Sequence, residues 1–468
     1  MRALVIIGLC ASLVACGGGS KPIPPARETG ELVVVTRNGP TTYYEDSQGD
    51  HVGLEHDLVE LFAKQLGFRV RWIVASEFQD IIPTVVQRQA HFAAGGITMT
   101  DERKHDVSFS TPYQTVQEQV IFNTDQPRPR NFDDLVGRRI QVVAGTSYVD
   151  QLKMAKRKNP ALVWEEVTNH ETEDLLQRVA DGETDYVIAD SHIVLLSQNY
   201  YPKLDVAFDV GRPEYLAWAF PKDGDAWLYR KSIEFFAKIQ RDGTLKRLLD
   251  RYYGHIERLE QADVVGFLDK MNKVLPEYRA LFQRAQEETG IDWRLLAALG
   301  YQESHWDPLA TSPTNVRGIM MLTEDTADAM GVTDRLDPKQ SVMAGAKYFL
   351  NLKDMIPERI PEPDRTWIAL AAYNVGYGHL EDGRVLAARQ GLNPDSWADL
   401  KKSLPLLAKS NYHTTVKHGF ARGGEAVILT ENIRTYFDIL AKFEKPYKPL
   451  FSPFSQSKNN SKEKVSLR

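Results

Sequence analysis

The sequence predicts a multidomain chain, an α/β domain followed by a mainly α-helical one. Three observations point to it. From Glu31 onward, short β-branched runs alternate with amphipathic stretches. Beyond about Asp263 the segments lengthen, follow helical spacing and lose almost all strand-like runs. Between the two, a polar stretch from His255 to Asp263 marks a change of composition, as domain boundaries do. At 468 residues and 43% hydrophobic, the chain is long enough for two or three domains with sizeable cores.

The first segment belongs to no fold. Arg2 precedes an apolar run, Ala3 to Val14, too short to span a bilayer, and the run closes on Leu13-Val14-Ala15-Cys16. That ending resembles a bacterial lipobox and predicts a signal peptide over 1–15 with lipid carried on Cys16. The Gly-rich and Pro-rich residues 16–30 then form a tether. Gly17 is not the aspartate that holds enteric lipoproteins at the inner membrane, so the expected location is the periplasmic face of the outer membrane. The only cysteines are Cys10 and Cys16, which leaves the processed chain with neither a disulfide nor a thiol metal site. No cofactor or metal is expected, because histidines are scattered and no His-Glu-x-x-His or calcium-loop pattern occurs. A net charge of −6 argues against a general nucleic-acid binder.

In the α/β part, "ELVVVTR" reads as a buried strand, "DLVELFAKQLG" as an amphipathic helix stopped by Gly67, and "FRVRWIVA" as a second strand. "IIPTVVQRQ" is helical, and "EQVIFN", "RIQVVAG" and "DYVIAD" supply further strands. The alternation implies parallel sheets covered by helices. The stretch "AAGGITMTDERKHDVSFSTPY" resembles the family 3 extracellular solute-binding proteins, a likeness extending over 31–254. It implies two lobes closing on an amino-acid-like ligand, lobe 1 about 31–122 with 212–254 and lobe 2 about 123–211. By that resemblance Arg103 meets the ligand carboxylate, Thr98 and the backbone of Gly96 hydrogen-bond it, and Asp190 meets its ammonium. Thr146, within "AGTSY", approaches from the second lobe. Pro40 stands where relatives place a stacking aromatic, so Phe78 is the candidate for that task; a free amino acid, a peptide or a muropeptide all remain open as ligand.

After a linker over 255–266, the helical part is expected over 267–447, with a polar, disordered tail over 448–468. One residue there is chemically awkward. Counting back from Glu303 by helical steps gives Gly300, Leu299 and Leu296, so a carboxylate shares an apolar helix face. An unpaired charge in such a place must be neutral, paired, or open to a cleft. The motifs "GYQESHWDPLATS", "VRGIMMLTEDTA", "LAAYNVGYGHL" and "GGEAVILTENIRTYFDIL" resemble, in this order, the soluble-lytic-transglycosylase group with its lysozyme-like helical fold. The resemblance implies cleavage of the β-1,4 bond between N-acetylmuramic acid and N-acetylglucosamine in peptidoglycan, with formation of a 1,6-anhydro sugar. Glu303 would be the acid and then the base. Ser304, Ser312, Gly318, Met320, Tyr373 and Asn374 match positions around the glycan. Asp307 precedes Pro308 and is expected to cap a turn rather than to act as a second acid. Met321 and the pair Leu429 and Thr430 depart from the family pattern, which leaves a second reading: an inactive, lipid-anchored sensor or scaffold.

Overall fold

The computed structural model describes residues 22–46 and 49–448; the expected signal peptide, the lipidation at Cys16 and the tail from 449 lie outside the described residues. The strand Glu31–Thr36 buries five of its six side chains, as a strand covered on both faces must. It pairs in parallel with Arg69–Val74 and Phe92–Ala93. Ala219–Pro221 and Val107–Phe109 complete a five-stranded sheet. The amphipathic helix Leu54–Leu66 packs over it and ends at Gly67, whose φ of 73° is the left-handed cap foreseen for that glycine.

A second five-stranded sheet runs Leu204–Leu216, Gln114–Asn123, Tyr186–Asp190, Ile140–Val143 and Glu165–Val167. Neither sheet is wholly parallel, contrary to expectation. Gln114–Asn123 runs antiparallel to both its neighbours, and Ala219–Pro221 to both of its own. These reversed strands adjoin the two segments by which the chain passes between lobes. The change of lobe therefore falls at about 110–114 and 216–219, and not at 122–123 and 211–212. The Pro- and Arg-rich run after Asn123 marks the loop that follows a strand already in the second lobe.

A buried carboxylate sits at this crossing. Glu55 is 1% exposed and accepts hydrogen bonds from Gly96 N–H (2.8 Å), from Trp218 Nε1 (2.9 Å) and from the Tyr113 hydroxyl. It ties both crossings to a loop of the solute cleft.

The remaining chain is helical. The run from Phe267 divides into Gln261–Lys273 and Leu275–Thr289, with Pro276 in the first turn of the second helix, where its missing N–H costs nothing. Trp293–Ser304 lies at the centre of this domain, packed against Leu275–Thr289 and the long helix Gly423–Phe443. Around it the core gathers Phe267, Phe282, Trp293, Trp306, Phe349 and Trp397. Among the described residues no helix is long and apolar enough to cross a membrane.

The two domains meet through a folded joint and not through a free linker over 255–266. His255 and Ile256 are buried, and a helix starts at Gln261. Asn199 Nδ2 donates to Ile256 O at 3.0 Å, and His255 Nε2 lies 2.6 Å from Asp438 Oδ2. Arg251 bridges the domains, 3.2 Å from Asp57 in the first lobe and 2.8 Å from Asp364 in the helical domain. Arg434 donates to the carbonyls of Asp250 and Arg251.

Candidate active site and solute cleft

The helix Trp293–Ser304 starts on Asp292, which accepts Arg294 N–H at 2.9 Å, and buries every residue from Trp293 to Tyr301. It stops abruptly. His305 and Trp306 both take the left-handed conformation, at φ 53° and 59°, a costly arrangement for side-chain-bearing residues. Trp306 thereby folds back onto its own helix, 1% exposed, its Nε1 donating to Ala297 O at 2.8 Å. Burial of this indole offsets the strain. The fold-back leaves Glu303 in the last turn, half-buried. No hydrogen bond or ion pair ties its carboxyl to any described residue, and burial alone pushes its pKa up to about 8. Tyr373 stands near enough that an ionised Glu303 would disfavour the tyrosinate.

The neighbouring residues support this position more than they face a sugar. Ser304 Oγ donates to Gly300 O (3.1 Å) and Ile319 O (2.9 Å), fastening the helix end to the loop 318–322. Ser312 Oγ accepts the N–H groups of Thr314 and Val316 and so shapes its own turn. Gly318 was expected to let backbone approach the glycan; instead it lets backbone approach backbone. At φ 83° it is buried, and a Cβ there would lie 2.0 Å from Arg335 O. Met320 is likewise corrected from glycan contact to core: it is 0% exposed and packs on Gly345 and Gly300, while its carbonyl accepts the Tyr373 hydroxyl at 2.8 Å. Tyr373 is half-buried beside Tyr348, and Asn374 is exposed. Asp307 is exposed and accepts Leu309 N–H. Leu429 and Thr430 are both buried in the helix Gly423–Phe443.

In the first domain, Phe78, Gly96, Thr98, Thr146 and Asp190 line one narrow cleft of about 10 Å³, joined by Arg37, Tyr148 and Glu171. Arg103 adjoins it, donating across the lobes to Gly145 O (2.8 Å) and within its own lobe to Thr98 O (2.9 Å). Phe78 lies within cation–π reach of both Arg37 and Arg103. Asp190 is 4% exposed, and burial first, then neighbouring Glu118, raises its pKa to about 7. Thr146 spends its hydroxyl on Val143 O at 2.7 Å. Sequence reasoning missed Arg37, Glu118, Glu171 and Glu173. Arg37 pairs across the lobes with Glu171 at 2.6 Å and Glu173 at 3.8 Å. Its place at the mouth of the first strand was the available signal. Glu171 caps the helix Thr172–Ala180 and closes a capping box there, and Glu173 lies in its first turn.

Comparison with known families agrees with both halves. Residues 32–255 match the bacterial extracellular solute-binding proteins, family 3, and residues 280–391 match the transglycosylase SLT domain. The class is therefore a solute-binding domain fused to a lytic transglycosylase domain. Proteins called membrane-bound lytic murein transglycosylase F from Methylobacillus flagellatus and Nitrosospira multiformis are each 51% identical to it, over 98% and 95% of this chain and 98% and 92% of their own. The chain belongs to that family, and as an enzyme it is a peptidoglycan lytic transglycosylase, a lyase. A solved ancestral arginine-binding protein bound to arginine is 24% identical over 48% of this chain and 98% of its own, with a TM-score of 0.44.

Proposed function

We propose that the chain cleaves the β-1,4 bond between N-acetylmuramic acid and N-acetylglucosamine, with Glu303 as the sole catalytic carboxyl. The observation that carries this is the solitary, half-buried Glu303, whose pKa of about 8 keeps it protonated at neutral pH. A free glutamic acid, at about 4.3, would be almost wholly ionised and unable to donate. Glu303 protonates the glycosidic oxygen as the bond to C1 breaks. Its carboxylate then takes the proton from the muramic C6 hydroxyl, which closes on C1 to give the 1,6-anhydro sugar. Atoms balance without water, and the neighbouring hydroxyl supplies the high effective concentration that an enzymic nucleophile would otherwise provide. The exposed, turn-capping Asp307 fits this one-carboxyl scheme. Tyr373 and Asn374 border the glycan, with Ser304, Ser312, Gly318 and Met320 holding the site's shape.

The first domain binds an amino acid, peptide or muropeptide and regulates cleavage, and lipid on Cys16 holds the enzyme at the periplasmic face of the outer membrane. The Arg251 bridge between Asp57 and Asp364 supports the regulatory part, because Asp364 opens the helix that carries Tyr373 and Asn374 at its other end. Digestion of purified sacculi, read by mass spectrometry, tests the chemistry. Anhydro-muropeptides are expected from the wild type and not from Glu303→Gln; reducing-end products would contradict it, and no product at all would favour the scaffold. Turnover that stays constant as amino acids and muropeptides are titrated in would sink the regulatory part.

A further inference from the structure

The charges in the solute cleft do not cancel. Arg103 and Arg37 are its cations; Asp190, Glu118, Glu171 and Glu173 are the acids around them, while Asp150, also near Arg103, has its own partner in Lys153 at 3.6 Å. Arg103 gives both terminal nitrogens to carbonyl oxygens and has no carboxylate partner at ion-pair distance, so it is free to take one from a ligand. Asp190 Oδ1 and Glu118 are buried with no cation on them, Glu118 being 0% exposed with only the neutral side chains of Ser147 and Gln151 beside it. Together these groups provide for one carboxylate and one ammonium, the head of an amino acid.

At the Arg37 end a carboxylate is left over. Arg37 is satisfied by Glu171 at 2.6 Å and by Gly95 O at 3.3 Å. Glu173 lies 3.8 Å from the same guanidinium, beyond hydrogen-bond reach, and its buried oxygens receive no side-chain donor, with only its own backbone N–H near them. Unsatisfied buried carboxylate oxygens are costly, and a second cation arriving at Glu173 would satisfy them while leaving the Arg37–Glu171 pair intact.

We propose that the cleft selects a diamino acid, a small zwitterion whose side chain ends in a second cation, with Glu173 reading that cation. This rests on the reading that the first domain binds an amino-acid head at Arg103 and Asp190. Lysine and norleucine differ only in the terminal ammonium, so they isolate the new part. Calorimetry on the full-length chain in detergent should show lysine binding and norleucine roughly tenfold to hundredfold weaker, as for loss of one charge-assisted hydrogen bond. Glu173→Gln should lower lysine to the norleucine level while leaving norleucine unchanged, which also shows that the variant folds. Equal affinity of the wild type for lysine and norleucine would overturn the role of Glu173 and leave the amino-acid head standing. Tighter binding of glutamate than lysine would overturn it too, in favour of Arg37. Failure of lysine, norleucine and glutamate alike would instead remove the amino-acid reading itself, and the proposal with it.

Discussion

Glu303 trades stability for function. Its folded-state pKa is raised from about 4.5 to about 8, so below pH 4.5 its burial has no ionisation cost, and the cost grows as pH rises toward 8. Glu303→Gln is therefore expected to be more stable than the wild type at pH 7 by about 2–3 kcal/mol, with the difference vanishing near pH 4. Chemical denaturation at both pH values checks this. The same variant should lose roughly a thousandfold in cleavage rate, the range of a general acid removed. Wild-type kcat/KM should hold to about pH 8 and then fall. Gly318→Ala meets Arg335 O in a left-handed position and should cost on the order of 2–4 kcal/mol, read as a lower midpoint of unfolding. Among these residues Glu303 was legible in the sequence because helical spacing alone placed it beside Leu296, Leu299 and Gly300. The surroundings of Met320 and Gly318 were not, since what lies against a loop residue depends on elements distant in the chain, here Gly345 and Arg335.

Individual strands and helices were read well wherever one face or a whole run is apolar. "ELVVVTR" and "DYVIAD" became buried strands, and Gly67 caps its helix in the left-handed region. Strand direction was less legible, because Gln114–Asn123 has the same β-branched texture whether it runs with or against its neighbours. The two lobe crossings, 110–114 and 216–219, carry no turn signal of their own beyond Pro112. They are secured by Glu55, which sits in a helix 58 residues before Tyr113 and 163 before Trp218. Glu55→Gln retains a single oxygen for three donors and should destabilise the first domain by about 1–3 kcal/mol, read as a lower unfolding midpoint in scanning calorimetry. An unchanged midpoint would show that the crossings are held by packing alone.

At the scale of the whole molecule, the order of two domains was visible as a change of texture near Asp263, yet their joint was not. A polar run between domains looks like a tether until its partners are known. Here His255, Arg251 and Arg434 find theirs in Asp438, in Asp57 and Asp364, and in backbone carbonyls of the other domain. Arg251→Ala removes the one cation that Asp57 and Asp364 share across the joint, leaving Asp57 with His56 and the Tyr252 hydroxyl and Asp364 with the Trp397 N–H. It should separate one unfolding transition into two and lower domain coupling by about 1–3 kcal/mol, less than for a fully buried pair. It should also blunt any response of cleavage to a solute bound in the first domain, whereas a response of full size would place the coupling elsewhere.

In the proposed mechanism, burial keeps one carboxyl protonated. Infrared difference spectra of wild type against Glu303→Gln, with glycan bound and across a pH series, measure it most directly. A protonated-carboxyl band assigned to Glu303 should be present at pH 7 and fade only as pH passes about 8. A carboxylate band already complete at pH 6 would contradict the account.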